Sequence, residues 1–237
     1  MEIINDNPAS NVKPPKRFRT RRKVWTPDQI QTFLISIHHD RFAALLLLEL
    51  TTGIRRGQIC SLKWSAVDLD AGEITVHDNR VVVKGHAREK EGGKTKNADQ
   101  TISIDRAAAA ALCNWRVVQN HEREFFGAGY HPGDYVFTFE DGRPPRPDTI
   151  RQRFDRLAAA AGLSRITFHD LRHSDATGAL KAGISPKVIS ERIGHTTVGF
   201  FLQTHAHVMR NDDRDTAERR PAFLIGNGRD PADAGSG

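Results

Sequence analysis

Histidines and arginines supply most of the chemistry available to this sequence. Residues 167–207, TFHDLRHSDATGALKAGISPKVISERIGHTTVGFFLQTHAH, gather His169, Arg172, His173, His195, His205 and His207 into two helical stretches and the turn between them. Few carboxylates balance them, Asp170 and Glu191 among them. A folded chain that concentrates cationic and proton-carrying side chains in this way has the composition of an anion site. Phosphate is the first candidate, because guanidinium groups offer forked donors that match phosphate oxygens. Histidine adds a group that gains and loses a proton near neutral pH.

The sharpest local pattern is His169-Asp170-Leu171-Arg172-His173. On a helix, residues three and four apart share a face, so His169, Arg172 and His173 crowd together. The two histidines also have the spacing of the zinc motif H-E-x-x-H. Aspartate replaces that motif's longer glutamate base, however, and a guanidinium next to a ligand repels a metal ion, so a zinc site is the weaker reading and no metal is expected. The plainest alternative is an ordinary helix whose histidines are satisfied by backbone. Three further segments favour phosphate. They are a second arginine after a helix end, in Thr52-Gly53-Ile54-Arg55-Arg56-Gly57-Gln58; a lysine on a turn, in Lys94-Thr95-Lys96; and a histidine after a glycine, in Ile193-Gly194-His195.

The elements that must carry these residues are largely legible. Thr26-Pro27-Asp28-Gln29 has the form of a capping box with proline at the first helical position, and Ile30, Phe33, Leu34 and Ile37 follow at helical spacing. A second helix over Arg41–Thr51 is apolar on several faces, which places it in the core. It ends at Gly53, a residue suited to a left-handed cap. A short helix over 54–64 turns Ile59 and Leu62 inward. Glu73–His77, Arg80–Lys84 and Thr101–Ile104 read as three short strands, with 85–100 as a glycine- and lysine-rich connection. Asp105 caps a helix to Asn120, Tyr135–Phe139 is extended, and Asp148–Ala161 is helical. Asp212–Ile225 forms a last helix, interrupted by Pro221. The fold class is therefore α+β, mostly helical, with one small three-stranded antiparallel sheet.

Composition bounds the partners. The chain has 237 residues and a formal net charge of +6, which favours a polyanion such as nucleic acid or an acidic surface. Seven cations crowd residues 13–23 without an acid, so 1–24 reads as a basic flexible linker able to exchange phosphate counterions. Residues 226–237 read as a disordered tail. Cys60 and Cys113 are the only cysteines and lie far apart, in keeping with a reducing compartment. The apolar run LLLLEL at 45–50 is too short to cross a bilayer, and the N-terminus lacks a secretion pattern. A cytoplasmic location without membrane association is the expectation.

Taken together, the motifs resemble the tyrosine recombinase (phage integrase) family over residues 26–225. T-G-x-R-x-G at 52–57, a hairpin lysine at 94, H-x-x-R-H at 169–173 and I-G-H at 193–195 occur in the family's order. Leu62-Lys63-Trp64 and Val67-Asp68 fit the stretch after the first arginine. The resemblance implies a tyrosine-recombinase catalytic domain over 25–225 that cuts and rejoins double-stranded DNA without metal or other cofactor. By that resemblance Arg55 and Arg172 neutralise the scissile phosphate. His169 acts as general acid/base, His195 hydrogen-bonds the phosphate, and Lys94, preferred over Lys96, protonates the leaving 5′-hydroxyl. Such enzymes work as tetramers on DNA, while a catalytic domain alone is expected to be a monomer.

The sequence departs from the family at three points. Leu202-Gln203-Thr204-His205-Ala206-His207-Val208 keeps the surroundings of the family's nucleophilic tyrosine but carries His205 in its place. Tyr130 and Tyr135 precede H-x-x-R-H and read as loop and strand residues, not as substitutes. A disabled nucleophile is expected, which leaves a DNA-binding or competitor module as the alternative function; imidazole phosphorylation at His205 is the remaining route to activity. Gln58 stands where the family usually has glutamate. The family normally carries a separate DNA-clamping domain before the catalytic one, and with room here only for the basic linker the expectation is either an excised catalytic domain or a naturally short protein.

Overall fold

The computed structural model describes residues 23–76, 79–83, 86–90 and 100–192. Helix α1 (Pro27–Ser36) begins as its sequence dictates: Thr26 accepts from the Gln29 N–H and the Gln29 side chain returns to the Thr26 N–H at 3.0 Å. Helix α2 (Ala43–Thr52) buries Leu45, Leu46, Leu48 and Leu50. It packs on α4 (Arg106–Phe126) and α6 (Phe168–Lys181). A helix apolar on most of its faces has no other stable place than between such neighbours. It ends at Gly53, whose φ of +63° costs a side chain free energy and glycine little. Helix α3 (Arg56–Ile59) follows at once.

The antiparallel three-stranded sheet is present, with a different membership from the expected one. Strands β1 (Val67–Asp68), β2 (Glu73–Val76) and β5 (Gln100–Ser103) form it, in the order β1-β2-β5. The segment expected as its middle strand, Arg80–Lys84, corresponds to β3 (Asn79–Val83). It pairs instead with β4 (His86–Lys90) in a separate two-stranded hairpin, Val83 opposite His86. Strand β4, His-Ala-Arg-Glu-Lys, has no apolar alternation, so its pairing carries no periodic signal. Strand β1 is only two residues long.

Helix α4 runs six residues past Asn120, to Phe126. The Tyr135–Phe139 segment contributes a single bridge, Lys63 to Tyr135, and then folds back, the Phe139 N–H donating to Arg143 O. Helices α5 (Pro147–Ala160) and α7 (Pro186–Arg192) complete the described α-helices. The basic linker up to residue 22, Lys94, Lys96, His195, His205, the helix expected at 212–225 and the tail lie outside the described residues.

Two internal clusters hold the site's supports in place. Trp25 and Phe33 lie 5.0 Å apart by ring centroids, and Phe154 of α5 meets Phe33 at 5.5 Å and Phe168 of α6 at 5.6 Å. Each buried ring contributes on the order of 1.5–3 kcal/mol, and together they tie α1, α5 and the first turn of α6. The second cluster is polar. Gln119 on α4 accepts from Trp64 Nε1 at 2.6 Å and donates to Tyr135 O at 3.0 Å and Thr138 Oγ1 at 2.9 Å. Arg41 pairs both its Nη atoms with Glu122 at 2.6 and 2.8 Å and stacks over Trp115.

Candidate active site

Segments distant in sequence converge on one cleft of about 570 Å³, with Val81 of β3 also in its lining. The end of α2 and the start of α3 bring Glu49, Ile54, Arg55 and Arg56; α6 brings His169 and Arg172; α5 brings Asp148 and Arg151. The Thr-Gly-x-Arg turn determines how the two key arginines meet. Gly53 closes α2 with its N–H on Glu49 O at 2.7 Å, and the left-handed turn frees its own carbonyl. Nη1 of Arg172, 119 residues away, donates to that carbonyl. Two residues beyond Gly53, Arg55 stands at the N-cap of α3, its N–H held by Gln58 Oε1 at 3.2 Å.

The start of α6 sets the other wall. Thr167 caps the helix by accepting from the Asp170 N–H at 3.2 Å, and Asp170 Oδ2 accepts from the Thr167 N–H at 2.9 Å and its hydroxyl at 2.6 Å. The Asp170 carboxylate is thereby committed to the helix end, which removes it as the acid of a metal or general-base pair. His169 projects at the surface of the cleft, while His173 is buried beneath it, the two rings perpendicular with centroids 4.8 Å apart. The expected crowding of His169, Arg172 and His173 is real, but only His169 and Arg172 line the cleft.

The electrostatics are those of a site short of negative charge. Arg172 is 3% exposed; its loss of hydration and then the nearby Arg55 guanidinium pull its pKa down to about 10, against a smaller opposing pull from Glu49. It remains a cation at neutral pH. Burial pushes the Glu49 carboxyl well above the usual carboxylate range, with Arg172 acting to lower it and Asp175 to raise it. Two guanidiniums in mutual repulsion, one buried and one exposed, are stabilised by any anion placed between them.

Sequence reasoning brought Arg55, His169 and Arg172 together and missed Glu49, the rim residues Arg56 and Arg151, and Asp148. Glu49 left one signal, a lone acid inside Leu-Leu-Leu-Leu-Glu-Leu. Tyr130 and Tyr135 do not line the cleft: the Tyr130 hydroxyl is engaged by Thr138 Oγ1 at 3.3 Å, and the Tyr135 ring lies under the Lys63 ammonium.

Comparison with known proteins decides the family. The sequence profile described as the phage integrase family matches residues 23–211. The chain belongs to the phage integrase family. Among its relatives it is similar to the ICEBs1 integrase of Bacillus subtilis (strain 168), with 27% identity covering 94% of this chain and 61% of that protein. It is similar as well to tyrosine recombinase XerA of Thermococcus kodakarensis, with 28% identity covering 81% and 61%. The chain therefore spans less than two thirds of these relatives. Among solved structures, the Tn1549 transposon integrase in complex with transposon right end DNA superposes with a TM-score of 0.72 at 22% identity, covering 91% of this chain and 72% of that one. XerA recombinase superposes with a TM-score of 0.64 at 22% identity, covering 87% and 68%. The α+β architecture with its small antiparallel sheet is thus the phage integrase catalytic fold. Among the described residues, no helix is long and apolar enough to cross a membrane.

Proposed function

We propose that this chain is the catalytic domain of a site-specific recombinase or integrase that holds one phosphate of double-stranded DNA between Arg55 and Arg172. The observation that carries the reading is the convergence of these two guanidiniums on one cleft, with His169 at its surface. Phosphoryl transfer asks a protein mainly to position the phosphate and to stabilise charge as it develops on the oxygens. Arg172, locked by the Gly53 carbonyl, supplies a fixed fork. Arg55, exposed at the helix start, supplies a second. His169 is placed to move a proton, and His195 and Lys94 complete the set by their place in the sequence, the first on the phosphate and the second on the leaving oxygen.

The chain as it stands binds and positions DNA without cutting it, because His205 occupies the place of the nucleophile. The DNA-binding or competitor reading follows from that same residue. Its test is direct. Binding of a mixed-sequence duplex, followed by fluorescence anisotropy, should weaken linearly in log–log form with salt, by a slope of about 0.9 per phosphate contacted. No denaturation-resistant protein–DNA adduct should form. An acid-labile, phosphohistidine-linked adduct would overturn the non-cutting reading, and salt-independent binding would overturn the DNA reading. Relatives of this type include DNA-bound integrases, which supports DNA as the partner.

A further inference from the structure

Glu49 has no role in the chemistry described so far, yet it is the most deeply placed ionisable group of the cleft. It is 1% exposed, its Oε2 has no hydrogen-bond partner among the described residues, and it lines the same cavity as Arg55, His169 and Arg172. An ionised carboxylate sealed from water is costly unless a cation faces it. The charges that act on it come from α6, where Arg172 attracts it and Asp175 repels it. From α3, Gln58 is neutral and Arg56 is paired with Asp148 at 3.8 Å; Arg55, His169 and Arg151 share the cleft. On α4, Arg116, Glu122 and Arg123 are engaged by Trp64, Arg41 and Tyr130. Glu49 and an incoming phosphate would therefore claim the same guanidinium.

We propose that Glu49 is a positioning residue of the phosphate site. Its carboxylate is the counter-anion of Arg172 when no phosphate is bound, and it takes up a proton from solvent when phosphate enters. Two anions cannot share one buried cation at low local dielectric without one of them being neutralised. The phosphodiester keeps its charge at any ordinary pH, so the carboxyl is the group that yields. Binding then carries one linked proton, and the ionised carboxylate competes with the phosphate as pH rises. This rests on the phosphate reading above.

Sulfate is a suitable probe, being tetrahedral, anionic and itself untitrated between pH 5.5 and 8.5. Its binding is followed through the arginine side-chain nitrogen resonances of the whole chain, in the wild type, Glu49→Gln, Glu49→Met and Arg55→Ala. At pH 5.5 wild type and Glu49→Gln should bind sulfate alike. At pH 8.5 Glu49→Gln, and Glu49→Met if the amide variant folds poorly, should bind at least tenfold more tightly than wild type; a single linked proton permits up to about tenfold per pH unit. A residue that only supports the fold would give weaker binding, or the same pH slope, on substitution. Either result overturns the role of Glu49, provided Arg55→Ala still loses sulfate. If Arg55→Ala binds as the wild type does, the phosphate reading itself falls.

Discussion

The carbonyl of Gly53 accepts a hydrogen bond from Nη1 of Arg172, so the end of one helix fixes a side chain on another, 119 residues later. This contact explains why a glycine and an arginine two residues apart act together. The glycine conformation that stops α2 also aims the acceptor for Arg172 and sets Arg55 at the head of α3.

Gly53→Ala tests that coupling. A side chain at φ +63° costs roughly 1–2 kcal/mol, to be read as a lower urea midpoint. Because the same turn aims the Arg172 acceptor, sulfate affinity should fall too. Loss of stability with unchanged sulfate binding would separate the turn from the site.

Arg172→Lys keeps the charge and removes the fork. A charge-assisted hydrogen bond is worth about 1.5–3 kcal/mol, so sulfate affinity should fall by about tenfold to a hundredfold. A lysine that binds as well as arginine would show that only net charge matters there.

Arg41→Ala is the contrasting change. It removes the paired contact to Glu122, the donor to Thr138 O and the stack on Trp115. Thermal or urea unfolding should show a loss of about 2 kcal/mol. Arg41 lies outside the cleft, so sulfate affinity of the folded protein should not change.

Stability should depend on pH through Glu49, with a definite sign. Burial raises the folded-state pKa above the ordinary 4.5, so between those two values the native protein binds more protons than the unfolded chain. The contribution is fully present below about pH 4.5 and is lost as pH rises through the raised value. Urea midpoints from pH 5 to 8 should therefore fall more steeply for wild type than for Glu49→Gln. Parallel curves would contradict the burial of a titrating carboxyl.

Much of this was legible because it was local. Thr26 and Asp105 announced their helices through capping chemistry, and Gly53 announced a helix end. The motif order brought Arg55, His169 and Arg172 to one site before any geometry was known. What stayed hidden was set by tertiary pairing. Val67–Asp68 is too short for a periodic pattern and β5 joins β2 from a segment distant in sequence, so the sheet's membership was hidden, while β4 has no apolar alternation to announce its pairing with β3. Glu49 was hidden for a related reason. An acid in a leucine run reads as a solvated position until α6 is seen to cover it with Arg172.

The most direct test of the phosphate site is covalent capture. His205→Tyr would put a tyrosine at the sequence position proposed for the nucleophile, and a pool of nicked duplexes of randomised sequence would offer it a trapping substrate. Denaturing gels should show a protein–DNA adduct for His205→Tyr that disappears when Arg55→Ala or Arg172→Lys is added. Absence of any adduct, or an adduct indifferent to both arginines, would contradict the account.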